Sequence, residues 1–267
     1  MSHRQGVVTA FVKKIDAKQG RCIVEYRSID DKLESCWAPI ASPMSGKGRG
    51  ALFMPEKGDE VLVGFQDGKV DTPYVLGFLW NGEHVSPEKE AHNRVIVTPG
   101  GHQLRFEDKE GDRRVIVKSA GGHSITLEDK EPAKKIEIKS TQHTVTLDDT
   151  AGASNISINA GPAGLVSIKL NTTPPSITIT TGAGTIGVDS TGVSVTSPGT
   201  LTINTAGVVT VNCTSASINA AGVTSINTGV LSVNAGLANF TGAVTCSALI
   251  ANAVASPVYS PGIGNLI

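Results

Sequence analysis

The chain has 267 residues, with 23 basic and 24 acidic side chains and a net charge of −1. That balance gives no electrostatic reason to expect nucleic acid or an anionic membrane surface as a partner. No apolar leader follows Met1 and no apolar run reaches the roughly 18 residues of a membrane span, so neither a signal peptide nor a span is expected.

From Gly6 to Trp80 the chain reads as short strands divided by turns. GVVTAFVKKI, RCIVEYRSI, ESCWAPI, DEVLVGFQ and PYVLGFL carry β-branched or aromatic residues, several with a period of two. The stretches DAKQG, SGKGRG, PEKGD and QDGKVDTP punctuate them. Aromatic residues from Phe11 to Phe106 supply the bulk of a core, and after them only Phe240 and Tyr259 remain. Five strands without a convincing helix predict a small closed barrel of the OB type over residues 1–82. The SGKGRG loop lacks the spacing of a phosphate-binding loop and precedes a strand, so nucleotide binding is not expected.

Within this region Cys36 to Gly82, CWAPIASPMSGKGRGALFMPEKGDEVLVGFQDGKVDTPYVLGFLWNG, resembles the OB domain of the VgrG and phage baseplate-V spike family. A Trp-Ala-Pro strand, a glycine-rich loop, a Pro-Glu-x-Gly-Asp-Glu-Val turn and strand and a Pro-x-Val-Leu-Gly strand follow one another in the family's order. The resemblance implies the central spike of a contractile injection system, an OB barrel followed by an elongated, intertwined trimeric β-helix. It also implies a homotrimer, separate hub and baseplate proteins at the barrel, and a PAAR-type tip protein at the far end. Such a spike assembles in the cytoplasm as part of an injection particle and meets the target membrane when the sheath contracts.

SPEKEAHN, within a charged linker over residues 83–100, has room for one helical turn. A repeat of about twenty residues then begins: GGHQLRFEDKEGDRRVIVKSA, GGHSITLEDKEPAKKIEIKST, QHTVTLDDTAGASNISINAG. Each unit is a strand, a charged turn and a second strand. Alternation places His102, Leu104 and Phe106 on one face, with His123, Ile125, Leu127 and His143, Val145, Leu147 in the same roles. One narrow apolar stripe of this kind cannot be buried by one chain. Three chains around an axis would cover it and pair the exposed edges.

In such a trimer His102, His123 and His143 would form rings facing the axis, weak candidates for holding a metal, an anion or water; the alternative is that each caps its strand after the turn. No metal or other cofactor is otherwise expected. Cys22, Cys36, Cys213 and Cys246 lack metal-ligand spacing and read as reduced thiols.

After Lys169 the only ionised side chain is Asp189, and the sequence turns to Gly, Ser, Thr, Asn and Ala threaded with single Val, Ile and Leu. Repeats such as VSVTSPG, LTINTAG and VLSVNAG recur about every eight residues, the signature of a β-solenoid. The spike is expected over residues 101–240 and a cap over 241–267. There Pro257, Tyr259 and Pro261 break the pattern and suit a tip-docking surface. No catalytic constellation is recognisable, so the chain is expected to be structural and not an enzyme. The rival class is a trimeric adhesion fibre for surface glycans, which calls for exposed aromatic or acidic clusters along the rod.

Overall fold

The computed structural model describes residues 6–27, 33–162, 165–253 and 255. It is all-β; among the described residues there is no α-helix, and within SPEKEAHN the chain makes one hydrogen-bonded turn, the Asn93 N–H donating to the Glu90 carbonyl at 3.0 Å. Pro257, Tyr259 and Pro261 lie outside the described residues.

The N-terminal strands are β1 (Val7–Asp16), β2 (Arg21–Glu25), β3 (Ala38–Pro39), β4 (Ser45–Gly46), β5 (Arg49–Gly50), β6 (Glu60–Phe65) and β7 (Pro73–Phe78). Five of them form one sheet in the order β3-β2-β1-β6-β7. A parallel bridge between Ile40 and Val75 joins its two ends, where the Ala41 N–H donates to the Val75 carbonyl at 2.8 Å. This closure is the expected OB barrel. The SGKGRG stretch is itself a small hairpin, β4 paired with β5, because Gly48 supplies the positive φ of 69° at its tip.

Alternation turns Ala10, Val12, Cys22, Val24, Val61, Val63 and Val75 inward, and with Tyr26 and Ala38 they are the buried apolar residues of the described chain. At Gly64 the Leu76 side chain comes close, its Cδ1 lying 3.0 Å from where a Cβ would stand. Tyr26 is fully buried against Phe65, and its hydroxyl has no hydrogen-bond partner. Burial pushes its pKa up to about 12 against a smaller lowering by the neighbouring Ser35 hydroxyl, which also accepts from the Val24 N–H at 2.9 Å. Tyr26→Phe keeps the volume and removes an unsatisfied polar atom. It is expected to leave stability unchanged or raise it by up to about 1 kcal/mol. A denaturation midpoint that falls by more than this would show that the hydroxyl contributes to the fold.

The second sheet is an antiparallel meander of eleven strands in chain order. They are β8 (Asn93–Val97), β9 (Gln103–Lys109), β10 (Asp112–Lys118), β11 (Ser124–Glu128), β12 (Lys135–Lys139), β13 (His143–Asp148), β14 (Asn155–Ala160), β15 (Val166–Thr172), β16 (Pro175–Thr181), β17 (Gly184–Asp189) and β18 (Gly192–Thr196). The first begins inside the expected linker. Each strand pairs with its sequence neighbour in the same chain, so these hydrogen bonds are intrachain, an arrangement consistent with an OB domain followed by a β-helix.

Among the described residues the last strand ends at Thr196. Among the described residues of 204–267 there is no strand or helix, every residue is exposed, and no backbone–backbone hydrogen bond is made.

Candidate functional site

The register of the meander aligns its apolar residues across strands. Ile96 stands opposite Leu104, and the row runs on through Val117, Ile125, Ile138, Val145, Ile158, Ile168, Ile179, Ile186 and Val195. A parallel row passes through Phe106, Val115, Leu127, Ile136, Leu147 and Ile156. Because side chains alternate, both rows project from one face.

That face is uncovered. Ile125 is 41% exposed, Ile138 47% and Ile158 42%, whereas Thr126, Glu128 and Ser157 on the opposite face are only partly exposed. The usual order of burial is inverted, and one face of eleven strands exceeds the isolated apolar patches common on monomers. A depression of about 440 Å³ on this face is lined by Val117, Ile125, Ile138 and Val145 together with His123 and His143.

The opposite face carries an alternating charge row: Glu107, Arg114, Glu128, Lys135 and Asp148 are successive cross-strand partners. Arg114 lies 3.5 Å from Glu107 and 3.4 Å from Glu128, and Lys135 lies 3.3 Å from Glu128. Each pair contributes at most about 1 kcal/mol. A one-residue slip would put every apolar side chain on the wrong face and break this row, so charge and hydrophobicity specify one register.

Glu88 fastens the linker to this sheet. Its carboxylate accepts from the Glu90 N–H at 2.9 Å, the Lys89 N–H at 2.8 Å and the Asn93 amide at 3.2 Å, and pairs with Arg105 on β9. The backbone N–H of Glu90 first, then Asn93, Lys89 and Arg105, hold its pKa below the ordinary carboxylate value against the opposing effect of desolvation. A depressed folded pKa stabilises above the unfolded value of about 4.3 and loses that contribution as pH falls through the folded value. Glu88→Gln is therefore expected to melt lower than the parent at neutral pH, with the gap closing in acid. A pH-independent gap would assign the loss to packing instead.

The sequence-predicted histidines lie at one margin of the apolar face. Each follows a hydroxyl-bearing turn residue: the His102, His123 and His143 N–H groups donate to the side chains of Thr98, Ser119 and Ser140 at 3.1, 3.1 and 3.0 Å. Among the described residues of one chain, no three His, Cys, Asp or Glu side chains gather as a metal site. Asp108 and Asp149, whose acidic pairs with Glu107 and Asp148 read in the sequence as solvated strand ends, and Asp129, which that reading did not single out, stand six residues after these histidines on the same face; the repeated spacing was the signal for them. Around the barrel, Tyr74, Leu76 and Phe78 point outward from β7 and are exposed, as is Trp80 beyond it.

The described chain thus places a closed five-stranded β-barrel with outward aromatic residues ahead of an antiparallel sheet with one bare apolar face. Residues 4–80 match the family model described as the Type VI secretion system/phage-baseplate injector OB domain, so the N-terminal part of the chain is similar to that family. The chain is 36% identical over 97 residues to the Type VI secretion system spike protein VgrG4b of Pseudomonas aeruginosa, and 38% over 96 residues to VgrG5 of the same organism. It is 27% identical over 100 residues to VgrG3 of Vibrio cholerae. Each alignment covers about a third of this chain (33%, 33% and 34%) but only 12%, 12% and 10% of the relative. No helix among the described residues is long and apolar enough to cross a membrane.

Proposed function

We propose that this chain is the central spike of a contractile injection machine, working as a homotrimer and without catalysis. The observation that carries the reading is the bare apolar face of β8–β18 directly after an injector OB barrel. Three copies of the meander supply three walls whose apolar rows meet inside, while the charged faces meet water. Among the described residues beyond Thr196, the eight-residue repeats have no partner strand in their own chain. Pairing between chains satisfies their backbone groups and builds the intertwined, nearly uncharged β-helix.

The work of sheath contraction passes along this rod to the target membrane. Hub and baseplate proteins dock on the barrel through surfaces such as Tyr74, Leu76 and Phe78, and the distal end carries a small tip protein. Rigidity follows from continuous cross-strand pairing and a packed apolar interior, with no reaction chemistry required.

The test is functional. Injection particles assembled without this chain are expected to lose permeabilisation of target cells, and complementation restores it. Particles lacking the chain that permeabilise targets normally would overturn the reading.

A further inference from the structure

Each of the first three units has a histidine at one end of its outgoing strand and an aspartate six residues later at the other: His102 and Asp108, His123 and Asp129, His143 and Asp149. An even spacing places both on one face, and registers continuous with Val117–Ile125 and Ile138–Val145 make it the apolar face. The two ends lie about 20 Å apart at roughly 3.3 Å per residue, so a histidine cannot reach its own aspartate along the strand. The apolar face is thus bordered by a histidine margin on one side and, on the other, by a margin in which Asp108, Asp129 and Asp149 alternate with Arg113 and Lys134 of the intervening strands, at three matching levels.

Ring hydrogen bonds orient two of the three histidines, His102 and His143, with Nε2 free toward a neighbour. His102 Nδ1 accepts the Ala120 N–H at 3.3 Å, which leaves the proton of the neutral ring on Nε2. At His143, Nδ1 lies 3.2 Å from the Ser140 hydroxyl oxygen, which already accepts the N–H groups of His143 and Gln142. That hydroxyl is left to donate, to Nδ1 or to the His143 carbonyl at 3.5 Å, and when it donates to Nδ1 the ring proton sits on Nε2. Across the sheet, Asp108 lies 3.6 Å from Arg94, while among the described residues Asp129 and Asp149 have no ion-pair partner.

We propose that the histidine margin of one chain meets the aspartate margin of the next at the same level, so that Nε2–H of His102, His123 and His143 donates to Asp108, Asp129 and Asp149 of a second copy. The inference rests on the three-chain reading above and deepens it by naming the seam. Such a contact joins two different margins head to tail, and three of them close a ring with no margin left over. It also sets the axial register of the chains, since a slip of one level leaves a histidine unpaired at one end and an aspartate at the other. The histidines then act at the seams between chains, away from the middle of the interior.

The test uses the full chain with the exposed Cys36, Cys213 and Cys246 replaced by Ser, the buried Cys22 being kept. The double variant His123→Cys/Asp129→Cys is oxidised and run on a denaturing gel without reductant. Covalent trimers are expected, with none from either single variant, because the two positions are too far apart to bridge within one chain. Sedimentation equilibrium on the same sample separates the two failures. A trimer by mass that yields no cross-linked trimer overturns the seam and leaves the three-chain reading standing, whereas a monomer overturns both. As a second measurement, His123→Asp and Asp129→His are each expected to weaken assembly about tenfold or more, and the swapped double variant to recover most of that loss. Losses that simply add in the swap would rule the pairing out.

Discussion

Ile138→Asp is expected to abolish assembly. Ile138 sits in the central apolar row between Ile125 and Val145 and is 47% exposed in the single chain. In three assembled chains it becomes interior. Losing an isoleucine there costs about 1.5–3 kcal/mol of apolar burial, and an unpaired carboxylate adds several more. The change occurs three times, so the total exceeds roughly 10 kcal/mol and reaches the whole stability of an ordinary domain. Sedimentation equilibrium should show monomer or aggregate in place of trimer. Ser157→Asp is the control on the opposite face. Its cross-strand neighbours are Thr146 and Lys169, and the new charge meets a cation there, so assembly should hold. If Ile138→Asp left the mass unchanged, the apolar face would not be the interface.

The second large effect concerns residues 204–253. Their amides make no backbone–backbone hydrogen bond within the chain, although Ile218, Val223 and Leu237 are 81%, 89% and 83% exposed there. Uncharged, β-branched repeats of this kind do not have the composition of a solvated tail. In the assembled protein their amides are expected to exchange with solvent at least about a hundred-fold more slowly than in an unfolded chain. Amide exchange read by mass spectrometry on the verified trimer measures this directly. Unprotected exchange across the segment in a confirmed trimer would mean that these repeats do not pair between chains, and the intertwined rod would fall.

Both effects concern surfaces that one chain leaves open, and there the sequence was only partly legible. The barrel strands could be read because Val61, Val63 and Val75 alternate within short runs bounded by turn residues, a local pattern with one geometric solution. The β4–β5 hairpin was missed because two-residue strands have no period to detect. Strand β8 was missed because Asn93–Val97 follows a charged stretch and pairs only once β9 lies beside it. His102, His123 and His143 stood out as a chemical type that recurs. Their aspartate counterparts did not, since Glu107-Asp108 and Asp148-Asp149 read locally as solvated strand ends.

By itself the sequence determined the class of the protein: an all-β chain, a barrel with the spike family's motif order, two-fold alternation in the repeats and a nearly uncharged distal part. These are properties of neighbouring residues, set by backbone period and turn chemistry. Only the tertiary structure decided that the meander pairs within one chain, that its apolar rows align over eleven strands and stay bare, and that this intrachain pairing ends at Thr196. The reason is physical. Period two says which side chains share a face, but whether a strand's hydrogen bonds go to its own chain or to another depends on turn lengths and register, which appear only when the strands are laid side by side.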